Sequence, residues 1–160
     1  KCDWSSDVCS SDLREVAGFD ETYQISALPR LLPEADVIVS ILPATRETRH
    51  LLTADLLALC RSDSVLFNVG RGDLIESGVL YQALKQGHPG AAVVDVFEQE
   101  PLPPDSPLLG LPNVVAVPHI GSATHETRYN MTATAVENLL NALKGDVAKN
   151  CVNPHLAKTN

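Results

Sequence analysis

No stretch of this sequence is basic, and none is apolar for long enough to cross a membrane. Twelve Lys and Arg residues stand against twenty Asp and Glu residues, so the formal net charge is −8. Because such a chain repels phosphate groups, its composition argues against nucleic acid and anionic membranes as partners. The apolar runs are far shorter than the ~20 residues of a transmembrane helix, and no signal-peptide pattern is recognisable. With 160 residues, 44% of them hydrophobic, the chain can form one domain with a core.

Cysteine is scarce, and two of the four cysteines lie in the first thirteen residues, which differ from the rest of the chain. This segment, KCDWSSDVCSSDL, also holds the only Trp and shows no core periodicity. Residues 3–13 back-translate into a sequence that resembles a common sequencing-library adapter. We interpret segment 1–13 as an artefact, the alternative being a disordered natural N-terminus, and exclude it from the fold prediction. The remaining Cys60 and Cys151 predict reduced thiols in a cytoplasmic protein, not a disulfide framework.

Four short apolar runs each end close to a residue that can do chemistry. They are Val37–Leu42 before Pro43, Val65–Val69 before Arg71, Ala92–Val96 around Asp95, and Val114–Val117 before His119. Runs without polar alternation are typical of strands buried on both faces, as in a parallel sheet. Ligands of such sheets bind beyond the carboxyl ends of the strands. We therefore expect a site at that edge.

Helical patterns separate the strand candidates and predict βαβ crossovers. The candidates are Ile25–Leu32, a helix capped by Thr53 that carries Leu56, Leu57 and Cys60, a helix from Glu76 or Ser77 to Gly87, and a long helix from Thr124 to Gly145. Glu100–Pro112 holds five of the eleven prolines and is expected to be an extended loop. These elements predict an α/β fold: the distal half of a doubly wound parallel (Rossmann-like) sheet, followed by a long C-terminal helix.

The sequence lacks any G-x-G-x-x-G motif, which a dinucleotide-binding fold would carry after its first strand. We attribute this absence to truncation, with the chain entering the domain part-way through.

Arg71 lies between Gly70 and Gly72 at a predicted strand end. Glycines there allow the backbone to approach a ligand closely, and a guanidinium can bind a carboxylate through two hydrogen bonds. The alternative is an Arg that caps a helix or pairs with Asp73 on the surface.

His119 can change its charge near neutral pH, which suits a proton donor. A lone His is more often structural, but a carboxylate such as Glu100 would fix its tautomer and favour a proton on the other ring nitrogen. Asp95 lies in an apolar run, where an unpaired carboxylate is costly, so it needs an amide-bearing ligand or a backbone partner. The other histidines show no metal-ligand spacing, and we predict no metal.

Three blocks around these residues resemble the signature blocks of the D-isomer-specific 2-hydroxyacid dehydrogenases. They are Phe67–Glu76 (FNVGRGDLIE), Asp95–Pro101 (DVFEQEP) and Pro118–Ser122 (PHIGS), in matching order and spacing. The stretches Val114–Tyr129 and Asn150–His155 look most like the bacterial glyoxylate/hydroxypyruvate reductases that also act as 2-ketogluconate reductases. The resemblance covers roughly residues 16–157.

The resemblance implies that Arg71 binds the carboxylate and carbonyl of a small 2-oxo acid. It implies that His119 protonates the carbonyl oxygen as hydride arrives from NADPH or NADH, and that Glu100 orients and charges His119. Asp95 would hold the nicotinamide carboxamide. The implied cofactor-binding residues are Leu42, Pro43, Thr48, Val69, Gly70, Arg71, Asp95, His119 and Gly121.

By the same resemblance, residues 14–118 form the distal part of a dinucleotide-binding domain. Residues 119–160 form a helix and tail that would return to a missing substrate domain. The expected activity is NAD(P)H-dependent reduction of glyoxylate, hydroxypyruvate or 2-keto-D-gluconate by a cytoplasmic homodimer, the fragment itself being inactive. The alternatives are a dinucleotide-sensing co-repressor of the same fold and a D-3-phosphoglycerate dehydrogenase.

Overall fold

A computed structural model describes residues 7–10, 17–146, 150, 151 and 153. The strands are β1 (Asp7–Ser10), β2 (Glu21–Gln24), β3 (Val37–Ser40), β4 (Val65–Asn68), β5 (Ala91–Val94) and β6 (Val114–Ala116). The last four form one sheet in the order β3-β4-β5-β6, and every neighbouring pair is parallel. The four apolar runs therefore form the predicted parallel sheet.

The helices are α1 (Leu28–Leu31), α2 (Ala54–Leu57), α3 (Ser77–Gln86) and α4 (His125–Leu143). The predicted bounds of α3 are confirmed, since Gly87 ends it in the left-handed conformation at φ 81°. The Thr53 hydroxyl accepts from the Leu56 amide, as predicted for a cap. However, α2 is only one turn long and Cys60 lies beyond it, because the following amides bond three residues back and tighten the chain.

Two other element predictions are wrong in part. Over the predicted helix Ile25–Leu32, the chain forms a 3-10 turn at Ile25–Ala27 followed by the single turn of α1. One continuous helix cannot form there because Pro29 has no amide hydrogen to donate to the Ile25 carbonyl. The predicted extended loop Glu100–Pro112 contains a 3-10 turn at Pro107–Gly110, which buries Leu108 in the core.

Burial on both faces holds only for the inner strands. In β4 and β5 every residue is buried or half-buried, and the Leu66 side chain is fully buried. In β3, Val37 and Val39 are 50% and 59% exposed, and Val115 of β6 is 56% exposed. The prediction is therefore wrong for β3 and β6, the two outer strands of this sheet, whose alternate side chains lie on a face that the first unit leaves open.

Part of the segment interpreted as an artefact forms a strand. β1 pairs in parallel with β2, from Asp7 opposite Glu21 to Ser10 opposite Gln24, in a separate two-stranded sheet. Strand formation does not identify the origin of a sequence, so the interpretation of residues 1–13 stays a prediction.

The chain divides into two compact units, Lys1–His119 and Ile120–Asn160. In the second unit, α4 begins where predicted, since the Thr124 hydroxyl accepts from the Thr127 amide. Gly145 lies in the left-handed conformation just beyond the helix end. Large apolar side chains of α4, such as Leu139 and Leu143, are exposed. Among the described residues, no helix is both long and apolar enough to span a membrane.

Candidate active site

The backbone ladder of the sheet continues past the strand ends and carries several of the predicted site residues. The amide of Val69 donates to the Ser40 carbonyl at 3.0 Å, and the amide of Asp95 donates to the Asn68 carbonyl at 3.0 Å. The amide of His119 donates to the Asp95 carbonyl at 2.9 Å. Residues that follow β4, β5 and β6 are thus held at the carboxyl edge of the sheet, where parallel sheets bind ligands.

Glu100 and His119 form a direct pair at this edge. Nδ1 of His119 lies 2.7 Å from Oε2 of Glu100, while Oε1 of Glu100 accepts from the Phe97 amide at 2.9 Å. An ionised carboxylate only accepts hydrogen bonds, so Nδ1 is the donor. This tautomer makes Nε2 the ring nitrogen that can exchange a proton with a ligand.

The His119 backbone has a positive φ of 53°, a conformation that costs a residue with a Cβ about 1 kcal/mol. Its amide is shared between the carbonyls of Asp95 and Val117. The sheet therefore fixes this strained backbone and aims the imidazole at Glu100.

The pKa of Glu100 lies below its usual value. Partial burial alone would raise the pKa, and the neighbouring charge of Asp95 acts in the same direction. The hydrogen bonds from His119 and the Phe97 amide, together with the positive charge that His119 can carry, outweigh both. The site therefore holds Glu100 ionised.

We expect this pair to stabilise the fold only where Glu100 is ionised. Because its pKa is lower in the folded chain, its contribution is fully present above the ordinary value of 4.5 and disappears as the pH falls through the lower folded value. Both side chains are more than a third exposed, 46% and 35%, so the contribution is under ~1 kcal/mol. Urea unfolding of the wild type and Glu100→Gln across acidic pH measures it. A gap between the two that widens toward acid would contradict this assignment.

Arg71 follows β4, beside the strand that leads to Asp95. Its Nη1 donates to the Gly70 carbonyl at 2.8 Å, and its own carbonyl accepts from Nδ2 of Asn68 at 3.2 Å. Asn68 thus fixes the Arg71 backbone, while the guanidinium of the exposed Arg71 side chain bonds back to the main chain. The sheet order β4-β5-β6 relates Arg71 to the Glu100–His119 pair, and so does the neighbouring Gly72, which packs against Phe97.

The two glycines beside Arg71 have a packing role that the sequence did not indicate. A Cβ on Gly70 would lie 2.7 Å from the Leu42 carbonyl oxygen, and a Cβ on Gly72 would overlap the Phe97 carbonyl group. Close approach of backbone was predicted, but the approaching group in both cases is another segment of this chain.

Two buried polar atoms at the same edge have no hydrogen-bond partner within the described part of the chain: Oγ of Ser40 and Oδ1 of Asn68. The two residues are register partners on β3 and β4. Unpaired buried polar atoms are costly and therefore mark places where water or a ligand completes the bonding.

The remaining predicted cofactor residues lie at the ends of different strands. Asp95, 3% exposed, follows β5, and Thr48 is buried with its hydroxyl donating to the Pro43 carbonyl at 2.6 Å. Thr48 therefore closes the loop after β3 that also holds Leu42. Gly121 belongs to the second unit, whereas the other predicted cofactor residues belong to the first.

Sequence reasoning missed a second His–carboxylate pair. Nε2 of His50 lies 2.9 Å from Oε1 of Glu98, and Oε2 of Glu98 accepts from the Ser77 amide at 2.6 Å. The 48-residue separation of the partners hid the contact, although Glu98 is only two residues from Glu100.

A cavity of about 510 Å³ lies beside the Glu100–His119 pair, lined by these two residues and by apolar residues such as Leu102 and Leu109. Among the described residues, no three His, Cys, Asp or Glu side chains are placed to hold a metal ion.

Comparisons with known proteins show the family to which the chain belongs. The model of the D-isomer specific 2-hydroxyacid dehydrogenase NAD binding domain matches residues 8–121. The chain is 58% identical over 131 residues to glyoxylate/hydroxypyruvate reductase B of Escherichia fergusonii. The aligned stretch covers 82% of this chain and 40% of the relative. The chain thus spans about 40% of the length of the curated relatives that it matches.

Solved structures show the same fold. A D-isomer specific 2-hydroxyacid dehydrogenase family protein from Aeromonas salmonicida is 48% identical with a TM-score of 0.75, over 87% of this chain and 44% of that one. An NADPH-dependent glyoxylate/hydroxypyruvate reductase from Sinorhizobium meliloti, solved with NADP and malonate, is 34% identical with a TM-score of 0.76, over 86% and 42%. The chain therefore belongs to the D-isomer specific 2-hydroxyacid dehydrogenase family, and its residues 8–121 correspond to the NAD binding domain.

Proposed function

We propose that this chain is part of an NAD(P)H-dependent reductase that converts a small 2-oxo acid into the D-2-hydroxy acid. The observation that carries the proposal is the 2.7 Å contact between His119 and Glu100 at the carboxyl edge of a parallel sheet. Reduction of a carbonyl needs a proton on the oxygen, and an imidazole held by a carboxylate is suited to deliver it. Relatives named glyoxylate/hydroxypyruvate reductase B support glyoxylate or hydroxypyruvate as substrate, with 2-keto-D-gluconate as a third candidate.

The residues at this edge fit a nicotinamide dinucleotide, which when bound supplies the hydride. Asp95 is a buried carboxylate that can accept from the N–H groups of a carboxamide. Leu42, Pro43 and Thr48 lie in the loop after β3, and the Val69 and Gly70 backbone follows β4. These residues would line the cofactor site, together with Arg71 and His119.

Three side chains bind the substrate and supply the proton. Arg71 binds the substrate carboxylate, since its guanidinium can exchange the Gly70 carbonyl for two carboxylate oxygens. Nε2 of His119 holds the proton that moves to the carbonyl oxygen. Glu100 fixes the tautomer of His119 and balances its charge during the transfer.

A chimera tests the proposal. The matching segment of the Escherichia fergusonii reductase is replaced by the 131 aligned residues of this chain. We expect the chimera to oxidise NADPH with hydroxypyruvate or glyoxylate, with a weaker response to phosphorylated hydroxypyruvate. Dinucleotide binding without turnover on any 2-oxo acid would favour a sensing protein and contradict the proposal.

The 160-residue chain alone serves as the matched control. Hydride transfer needs a closed cleft that excludes water, and the chain spans about 40% of its relatives. We propose that the chain by itself does not oxidise NADPH with hydroxypyruvate. Turnover by the isolated chain would contradict this and would show that the unmatched 60% of the relatives is not needed for the reaction.

A further inference from the structure

Glu98 joins three loops that leave the carboxyl edge of the sheet. It lies in the loop after β5, and its Oε1 contacts Nε2 of His50 in the loop after β3. Its Oε2 accepts from the amide of Ser77, the first residue of α3, which follows the Arg71 segment. One carboxylate therefore holds the loop that carries Glu100 against the two neighbouring loops.

Backbone contacts beside Glu98 leave little room for this loop to move. Gly72 packs so closely on Phe97 that a Cβ there would overlap the Phe97 carbonyl. The His50 amide donates to the Asp73 carbonyl at 2.8 Å, and His50 has a positive φ of 51°. A strained residue persists only where its surroundings fix it, and here the fixing contacts are to Asp73 and Glu98.

The charge of Glu98 suits this role. Partial burial alone would raise the pKa of Glu98. The hydrogen bonds from the Ser77 amide and hydroxyl, and then His50, lower it by more, so the pKa lies below the usual value. An anion at the start of the ten-residue helix α3 also interacts favourably with the helix dipole. Glu98 is therefore held ionised and accepts from two directions.

We propose that Glu98 is a positioning residue: by tying the Phe97–Glu100 loop to His50 and Ser77, it sets where Glu100 meets His119. Only Gln99 separates Glu98 from Glu100 in the chain, and the Phe97 amide donates directly to the Glu100 carboxylate. A shift of Phe97 therefore moves the Glu100 carboxylate. This inference deepens the proposed function, because the pair that Glu98 positions is the proton donor of that reaction.

The ring tautomer of His119 tests the inference without cofactor or substrate. Nitrogen NMR of the labelled 160-residue chain, at a pH where the ring is neutral, gives the ratio of the Nδ1–H to the Nε2–H form. Glu100→Ala defines the ratio without the pair. We expect Glu98→Ala to lower the ratio about tenfold toward that value. Without Glu98 the loop is no longer held in place, and the hydrogen bond between the Glu100 carboxylate and His119 is lost. Glu98→Gln keeps acceptor oxygen for Ser77 and is expected to retain most of the wild-type ratio.

The controls separate positioning from simple stabilisation. Asp63→Asn removes a surface pair with Arg61 at the opposite end of β4 and is expected to leave the ratio unchanged. His50→Ala, which spares the Ser77 contact, is expected to lower the ratio about threefold, and it decides the matter if Glu98→Ala fails to fold. A folded Glu98→Ala or His50→Ala chain with the wild-type ratio would overturn the inference. Because no turnover is measured, failure of the reductase proposal would leave this readout interpretable.

Discussion

Replacing His119 by Asn in the chimera is expected to lower kcat about 10²–10⁴-fold, the usual range for loss of a general acid. Asn cannot deliver a proton, but it tolerates the left-handed backbone at φ 53° better than most residues. The fold should therefore survive the change, and the loss should lie in kcat rather than in KM for NADPH. Steady-state NADPH oxidation with hydroxypyruvate measures both constants.

His125→Asn is the matched control for this variant. His125 is exposed at the first residue of α4, and its loss is expected to change kcat by less than about twofold. Wild-type kcat in His119→Asn would remove His119 from the reaction and with it the proposed proton donor.

Replacing Gly72 by Ala is expected to lower the free energy of unfolding of the 160-residue chain by about 3 kcal/mol or more. The new Cβ would overlap the Phe97 carbonyl, a backbone group that no side-chain rotation can move away. The chain must then separate the Arg71 segment from the Glu100 loop. Urea unfolding followed by circular dichroism gives the difference.

Gly78→Ala provides the comparison, because it is the same substitution six residues away in α3. A Cβ there meets only the Glu76 carboxylate oxygen, at 3.9 Å. Ala is favoured over Gly inside a helix, so this variant is expected to be up to ~1 kcal/mol more stable than the wild type. Equal stability of the two variants would mean that the Gly72–Phe97 approach does not constrain the fold.

The parallel sheet and the two longer helices, α3 and α4, were predictable from the sequence. Parallel order followed from apolar runs separated by helical patterns, and the ends of α3 and α4 followed from Gly87, Thr124 and Gly145. Short elements were less predictable. The single turns α1 and α2 depend on which amide bonds form at each helix end, and local sequence leaves several of those bonds open.

For the site, residue types and spacing were enough to predict which chemistry-bearing residue follows each strand: Arg71 after β4, Asp95 after β5 and His119 after β6. Strand ends are local features, and a parallel sheet brings them to one edge without further information. The folded chain was needed to show that Gly70 and Gly72 make room for Leu42 and Phe97, and that Glu98 contacts His50 across 48 residues. Those contacts depend on ångström-scale separations between loops, which residue types and spacing do not encode.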